Sequence, residues 1–332
     1  MIDVHAHAVF EMVMGAAGVH GPELLEVDGQ PRFRAGGYEL CNVRYRGSVF
    51  MEPELRIAAM DAAGIHLQVI SPNPLTYFHF IGTEDAVNFC RRHNDQMAAV
   101  VAAHTPRLKG FATLPMQDIP EAVRELRRAV SELGLVGAYI GTDLNGLSLD
   151  DPALDPFYEV CTELDIPLFV HPQPAGIDGP PGDQRLRRFD LDLMLGFAFE
   201  ETLAIASLIF GGVLHRHPDL DVCLTHGGGA GPFLYGRFKR ASEMRPWSEP
   251  WLKEQGAFQR FYQRLFFDVH VHDEDSLALL MKKAGAGRLV FGTNFGGWDS
   301  GASATGAHLD LGGLAAQLDT TATALLRLDR SA

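Results

Sequence analysis

Ile2-Asp3-Val4-His5-Ala6-His7 is a short β-prone run that ends in two histidines, and the fold turns on how it is read. Successive side chains of a strand point to opposite faces, so histidines two apart leave the same face of the pleat. The pattern returns in reduced form. Pro167-Leu168-Phe169-Val170 leads directly into His171, and Val222-Cys223-Leu224-Thr225 leads into His226. A histidine at the C-terminal edge of a predicted strand, met at three places, points to strand ends that converge.

Working outward, short runs suited to buried strands recur at Ile2–Val4, Leu67–Ser71, Gly110–Leu114, Val136–Ile140, Pro167–Val170, Asp221–Thr225, Leu265–Val269 and Leu289–Thr293. Between most of them lie segments of helical character: Pro53–Ala63, Glu84–Ala103, Ile119–Leu133, Asp155–Leu164, Thr202–Arg216 and Ser276–Ala284. Strands alternating with helices build parallel β/α units. Eight such units, with no Gly-x-Gly-x-x-Gly after the first strand, predict an α/β fold of the (β/α)8 TIM-barrel type rather than a dinucleotide-binding open sheet. The whole chain, 1–332, reads as a single barrel domain. Residues 10–50 form an insertion after the first strand, rich in turn residues and too long for an ordinary connection. A second loop, Gln173–Asp190, falls on the same face, and 300–313, rich in Gly, Ala and Ser, reads as a mobile segment.

Composition narrows the function classes. With 46% hydrophobic and 21% charged residues, the chain can bury a sizeable core. Its net charge of -14 argues against nucleic acid or an anionic membrane surface as partner. Cys41, Cys90, Cys161 and Cys223 are widely spaced without a CxxC, which suits reduced thiols in a cytosolic protein. No basic region followed by an apolar run opens the sequence, and no uninterrupted apolar stretch approaches membrane-spanning length. The expectation is a soluble, cytoplasmic protein with no membrane partner.

Two imidazoles converging from one strand suit a divalent transition metal, although an isolated His-x-His is often a pair of satisfied or surface histidines. His171 and His226 shift that balance, because four histidines at three strand ends are what a mononuclear site needs. Gly227-Gly228-Gly229, directly after His226, lacks side chains and would let the backbone approach a ligand. His66, His79, His93, His104, His215 and His217 show no converging pattern and read as structural or surface residues.

Taken in order, His5-Ala6-His7, His171-Pro172, Thr225-His226-Gly227-Gly228-Gly229 and Phe291-Gly292-Thr293-Asn294 resemble the amidohydrolase superfamily. In detail they look most like its aminocarboxymuconate semialdehyde decarboxylase-like branch. Glu52–Ile57 with Met60-Asp61, Thr113–Gln117, Val136–Thr142 and Asp268–Leu277 extend the likeness from Met1 to about Gly297. The resemblance implies that His5, His7 and His171 bind one divalent ion, zinc foremost, with manganese or another divalent ion open. It implies that His226 acts in acid/base catalysis. It also implies that Arg237 reaches across a homodimer interface to a substrate carboxylate, with Arg46, or less well Arg44, as the second carboxylate-binding arginine. A solvated helix position beside Lys239 and Arg240 is the alternative for Arg237. His272 matches the family and would line the pocket, and His270 either joins it or is a satisfied core residue.

One departure stands out. The family's eighth strand ends in Gly-Thr-Asp, with the aspartate on the metal, whereas this chain has Gly292-Thr293-Asn294. A carboxamide is a neutral donor that takes up no proton near neutral pH. Three outcomes stay open: Asn294 serves as a weak fourth metal contact beside three histidines, Asp299 or Asp268 substitutes, or the chemistry is lost. Gly296-Gly297-Trp298 also departs from the family's turn. Phe78, Tyr77 and Trp298 are candidate walls for a flat substrate, against the alternative of simple core.

The function the resemblance implies is metal-dependent, non-oxidative decarboxylation of an unsaturated or aromatic carboxylic acid, with no organic cofactor. The first alternative is a hydrolase or hydratase of a cyclic or conjugated acid. The second is a catalytically silent barrel that binds a small molecule.

Overall fold

The computed structural model describes residues 1–178, 182–295 and 311–329. Trp298, Asp299, Gly296 and Gly297 lie outside the described residues, as does most of 300–313.

Eleven strands occur among the described residues. Three of them, β2 (Glu23–Val27), β3 (Gln30–Ala35) and β4 (Tyr38–Cys41), form a small antiparallel sheet inside the insertion. The other eight are β1 (Ile2–Ala8), β5 (Leu67–Pro72), β6 (Leu108–Gly110), β7 (Ala138–Ile140), β8 (Leu168–Val170), β9 (Val222–Leu224), β10 (Phe266–Asp268) and β11 (Leu289–Val290). They are parallel and follow one another in chain order, β1-β5-β6 in one ladder and β7-β8-β9-β10-β11 in the next. At the two seams, regular pairing gives way to single bridges, Ala112 beside Ala138 and Ala6 beside Phe295. Backbone hydrogen bonds carry the ring across both, from Val4 N to Phe291 O at 3.0 Å and from Ala112 N to Gly137 O at 2.9 Å. The eight-stranded α/β barrel expected from the sequence is the fold.

Two local expectations shift. The third barrel strand forms its ladder at Leu108–Gly110, beginning two residues earlier than Gly110–Leu114, because Gln68–Ile70 of β5 pair there; the later residues pair with β7 as a ladder only at the bridge. The helix expected over Thr202–Arg216 begins at Phe197, after a π-turn at Asp192–Gly196, and ends at Phe210. Gly212, at φ +78°, then turns the chain into a separate short helix, Val213–Arg216.

β1 contains the feature that sets the site. Asp3 pairs with Gln68 and Ala6 with Ile70, so β1 has one residue more than β5 between those points. Ile2 and Val4 belong to the apolar cluster inside the barrel, with Val69, Phe111, Tyr139 and Phe169. Strict alternation would then turn His5 and His7 outward. The bulge shifts the phase by one, so that the histidines also face inward, above the apolar filling. Beneath them, Tyr139 has its ring centroid 6.2 Å from that of His7 and 5.8 Å from that of His171, and Phe111 packs on Phe169 at 4.4 Å. At the opposite end of the barrel, the helix Ala315–Leu325 closes the floor with Ala322 and Leu325, and Asp319 Oδ1 accepts from Ile2 N at 2.7 Å.

By length and composition, Asp192–Phe210 is apolar enough to cross a membrane. Its inner face packs on the barrel through the buried residues Glu201, Ile205 and Leu208, and its outer face leaves Leu195, Phe199 and Leu203 exposed.

Candidate active site

Three imidazoles meet at the barrel mouth. The ligand atoms that His5, His7 and His171 can offer lie within 4.8 Å of one another, and all three residues are buried. Each ring is held through Nδ1: His5 by Asp268 Oδ2 at 2.7 Å, His7 by Ser71 Oγ at 2.9 Å and Pro72 O at 3.2 Å, and His171 by Pro172 O at 2.5 Å. With Nδ1 engaged in this way, Nε2 is the nitrogen that can ligate. His5 Nε2 and His7 Nε2 are 3.3 Å apart, and His171 Nε2 is buried with no hydrogen-bond partner. A buried, orphaned ring nitrogen aimed at two others is costly unless a cation completes it. The residues fit a divalent metal. Burial together with the neighbouring histidines pushes His171 well below the ordinary histidine range, so it is present as the neutral ligand form.

His226 stands beside this triad, its ring centroid 4.9 Å from those of both His5 and His171. Its Nδ1 lies 2.8 Å from Oε1 of Glu201, a fully buried carboxylate that also accepts from Thr225 Oγ1 at 2.5 Å. Burial raises the Glu201 pKa above the usual carboxylate range, while His226 and Thr225 pull it back down. The pairing fixes the His226 tautomer with its proton on Nδ1, so the nitrogen that can exchange a proton with a substrate is Nε2.

The family model described as amidohydrolase matches residues 2–327. The chain belongs to the amidohydrolase family. Among its curated relatives is a 2-amino-3-carboxymuconate-6-semialdehyde decarboxylase of Dictyostelium discoideum, 34% identical over 74% of this chain and 66% of that protein, just under two thirds of its length. Another is a gamma-resorcylate decarboxylase of Rhizobium radiobacter, 28% identical over 73% of this chain and 76% of the relative. The relatives also include a 2-keto-4-carboxy-3-hexenedioate hydratase of Sphingobium, 26% identical over 74% of this chain and 70% of that protein. Among solved structures, the IDCase of Metarhizium anisopliae in its apo form superposes with a TM-score of 0.80 at 24% identity, covering 100% of this chain and 98% of the other, which speaks for the fold.

In this amidohydrolase the mouth opens into a cavity of about 670 Å³. His7, His171, His226, His270, His272 and Asn294 line it. His270 is buried, with its ring 5.6 Å from His226 and 4.9 Å from the more exposed His272. Asn294 is nearly buried and sits at φ +49°, a left-handed conformation that asparagine and aspartate accept better than most residues.

Other expected site residues lie elsewhere. Arg46 is exposed, bonded to Glu11 with its Nε 2.9 Å from Oε2, and is not part of the cavity lining. A surface carboxylate from its own insertion engages the guanidinium that was expected to hold substrate. Phe78 is buried in the core with its ring 4.8 Å from Phe89, and neither it nor Tyr77 reaches the cavity. Arg237 is exposed on the helix Gly231–Met244, one turn beyond Phe233, which does line the cavity. Asp268 stands behind His5: its Oδ1 accepts from Gly227 N and His270 N, both at 3.1 Å, so both oxygens serve the protein. The triple glycine is needed for the protein's own packing. A Cβ on Gly229 would fall 2.2 Å from Ala198 O, and one on Gly228 would fall 2.7 Å from Phe267.

Sequence reading missed Glu201, and it also missed Arg56, which is buried and donates to His7 O at 2.5 Å and Gln68 Oε1 at 2.7 Å. The available signal for Glu201 was an acidic residue inside the strongly apolar run Phe197–Phe210. Such a charge remains buried only with partners.

Proposed function

We propose that this chain is a metal-dependent decarboxylase that removes carbon dioxide, without redox chemistry, from an unsaturated or aromatic carboxylic acid. The observation that carries the reading is a three-imidazole metal site with a carboxylate-oriented histidine at its edge, of which His7, His171 and His226 line one cavity. A divalent ion held by His5, His7 and His171, zinc in our reading, would supply positive charge to the oxygens of the bound acid. His226 delivers the proton from Nε2 to the carbon that bears the carboxylate. The carbon–carbon bond then breaks, its electron pair stays with the protonated carbon, and carbon dioxide leaves. Glu201 steadies the imidazolium before that transfer. Asn294 contributes a neutral carbonyl oxygen beside the metal ligands and takes no proton.

The reading includes a homodimer. Phe199, Leu203 and Phe233 are exposed on two neighbouring helices, which supports association of two copies over this face. Arg237, one turn from Phe233, would then reach the second copy's cavity mouth as the cation for the reacting carboxylate. The buried free thiols of Cys90, Cys161 and Cys223 support a cytoplasmic setting.

Asn294 favours one second reading, a hydratase. Without the proton-accepting carboxylate at that position, His226 would instead add a proton to a conjugated acid, and the water that adds to the neighbouring carbon would give its proton back to His226. The test is the purified protein, assayed for bound metal and for carbon dioxide release from hydroxybenzoates and unsaturated acids, beside His226→Ala. Metal at about one ion per chain and carbon dioxide abolished by the substitution are expected. A metal-free protein insensitive to added metal would overturn the reading. Loss of the substrate's conjugated absorbance without carbon dioxide would favour the hydratase.

A further inference from the structure

The cavity is several times larger than one aromatic ring requires. An apolar cavity on the order of 150 Å³ already holds benzene, and this one measures about 670 Å³. The space beyond the histidines is walled by Leu40, Val43 and Phe50 from the insertion and by Leu193, Phe197 and Leu280 from the barrel side.

The lining is as informative for its charge. Apart from histidines and the neutral tyrosine hydroxyls, Asp273 is the one acid or base among the described lining residues, and it is an anion whose oxygens cap its own helix through Ser276 N at 2.8 Å and Ser276 Oγ at 2.6 Å. No lysine or arginine lines the cavity among those residues, and the sequence has none at 179–181 or 296–310. The polar side chains facing the far chamber are already engaged. Asn73 Nδ2 donates to Tyr45 Oη at 3.3 Å, and Tyr38 Oη donates to Asp192 Oδ2 at 3.0 Å. A second carboxylate there would leave water with no counter-charge, close to Asp273. An aliphatic or aryl group would meet a mainly apolar wall whose polar side chains already have partners.

We infer that the substrate carries a single carboxylate, the one that reacts, and a bulky uncharged apolar substituent that fills the chamber between the insertion and the start of the helix Phe197–Phe210. The inference rests on the decarboxylase reading for the reacting end, and on the chamber alone for the substituent. Across a dimer, the second copy's Arg237 would add one guanidinium, enough for one carboxylate.

The test uses the full chain and neutral probes as well as acids. Calorimetric titration of the metal-free protein with resorcinol and its 5-methyl, 5-propyl and 5-pentyl derivatives should show affinity rising about three- to fourfold per added methylene. Val43→Asp, a half-exposed position in the chamber wall, should flatten that series. With metal restored, 2,4-dihydroxy-6-pentylbenzoate should release carbon dioxide with kcat/KM at least tenfold above the 6-methyl acid, and a ring dicarboxylate should be the poorest substrate. Affinity independent of chain length, or a preference for the dicarboxylate, would overturn the inference. Chain-length-dependent binding with no carbon dioxide from any acid would remove the decarboxylase reading and leave the apolar ligand class standing.

Discussion

Nδ1 of His226 lies 2.8 Å from Oε1 of Glu201, which comes from a helix 25 residues earlier in the chain. The pair sets how the proton-transfer group behaves. Removing the charge by Glu201→Gln should lower kcat about 10- to 100-fold, the usual range for a group that orients a catalytic or ligating histidine. KM and metal content should change little. The alkaline limb of the pH–activity profile should move to lower pH, because the imidazolium loses its counter-charge. Glu201→Asp should recover part of kcat. An unchanged profile would reduce Glu201 to a packing residue.

Asp268 holds His5 from behind and two backbone amides besides. In Asp268→Asn the side chain loses its charge and one acceptor becomes a donor. Divalent metal affinity, measured by competition with a chelator, should fall about 10- to 100-fold. The far-ultraviolet circular dichroism should remain that of the parent protein.

Asn294→Asp tests the family departure directly. The left-handed φ of +49° is tolerated by aspartate, so the backbone need not move. Adding an anionic oxygen beside three neutral ligands should tighten metal binding by tenfold or more in the same competition assay. Equal affinity would mean that position 294 does not reach the metal.

Acid stability should depend on two histidines remote from the chemistry. Burial lowers His79 and His93 from 6.5 to about 3. In the unfolded chain they bind protons at higher pH than in the folded one, so their contribution to stability is complete above about pH 6.5 and falls as pH drops toward 3. His93 packs between Phe10 at 5.1 Å and Phe89 at 5.8 Å. His93→Phe should therefore reduce the slope of unfolding free energy against pH in that window, by at most about 1.4 kcal/mol per pH unit. Denaturant titrations across the window check it.

The shared-site proposal predicts complementation. Arg237→Ala and His226→Ala, each nearly inactive, should regain activity when mixed and allowed to exchange subunits. Phe199→Glu should yield monomers by sedimentation velocity. Absence of any recovery in mixed dimers would place Arg237 outside the site.

Much of this was legible before the structure. The barrel could be read because each strand is a short apolar run bounded by helical segments, and His171 and His226 each follow such a run directly. What stayed hidden depends on contacts between distant parts of the chain. Nothing local marks the extra residue in β1, since a bulge exists only relative to the strand it pairs with. Glu201 sits beside Glu200 and reads as a solvated charge until the fold turns it toward His226. Arg46 could be matched to a family position, but its engagement by Glu11 depends on how the insertion folds back. The break falls at Gly211-Gly212, inside a run whose apolar pattern continues on either side and so reads as one helix.

The helix Phe197–Phe210 carries Glu201 on one face and Phe199 and Leu203 on the other. A rigid rod cannot move one face without the other. Whatever packs against its outer side therefore acts, through about one helix diameter, on the lever that aims His226. If copies of the chain meet there, dilution and crowding become variables of the turnover rate. Assays at nanomolar and micromolar protein would then sample differently tuned proton donors rather than merely different amounts of one catalyst.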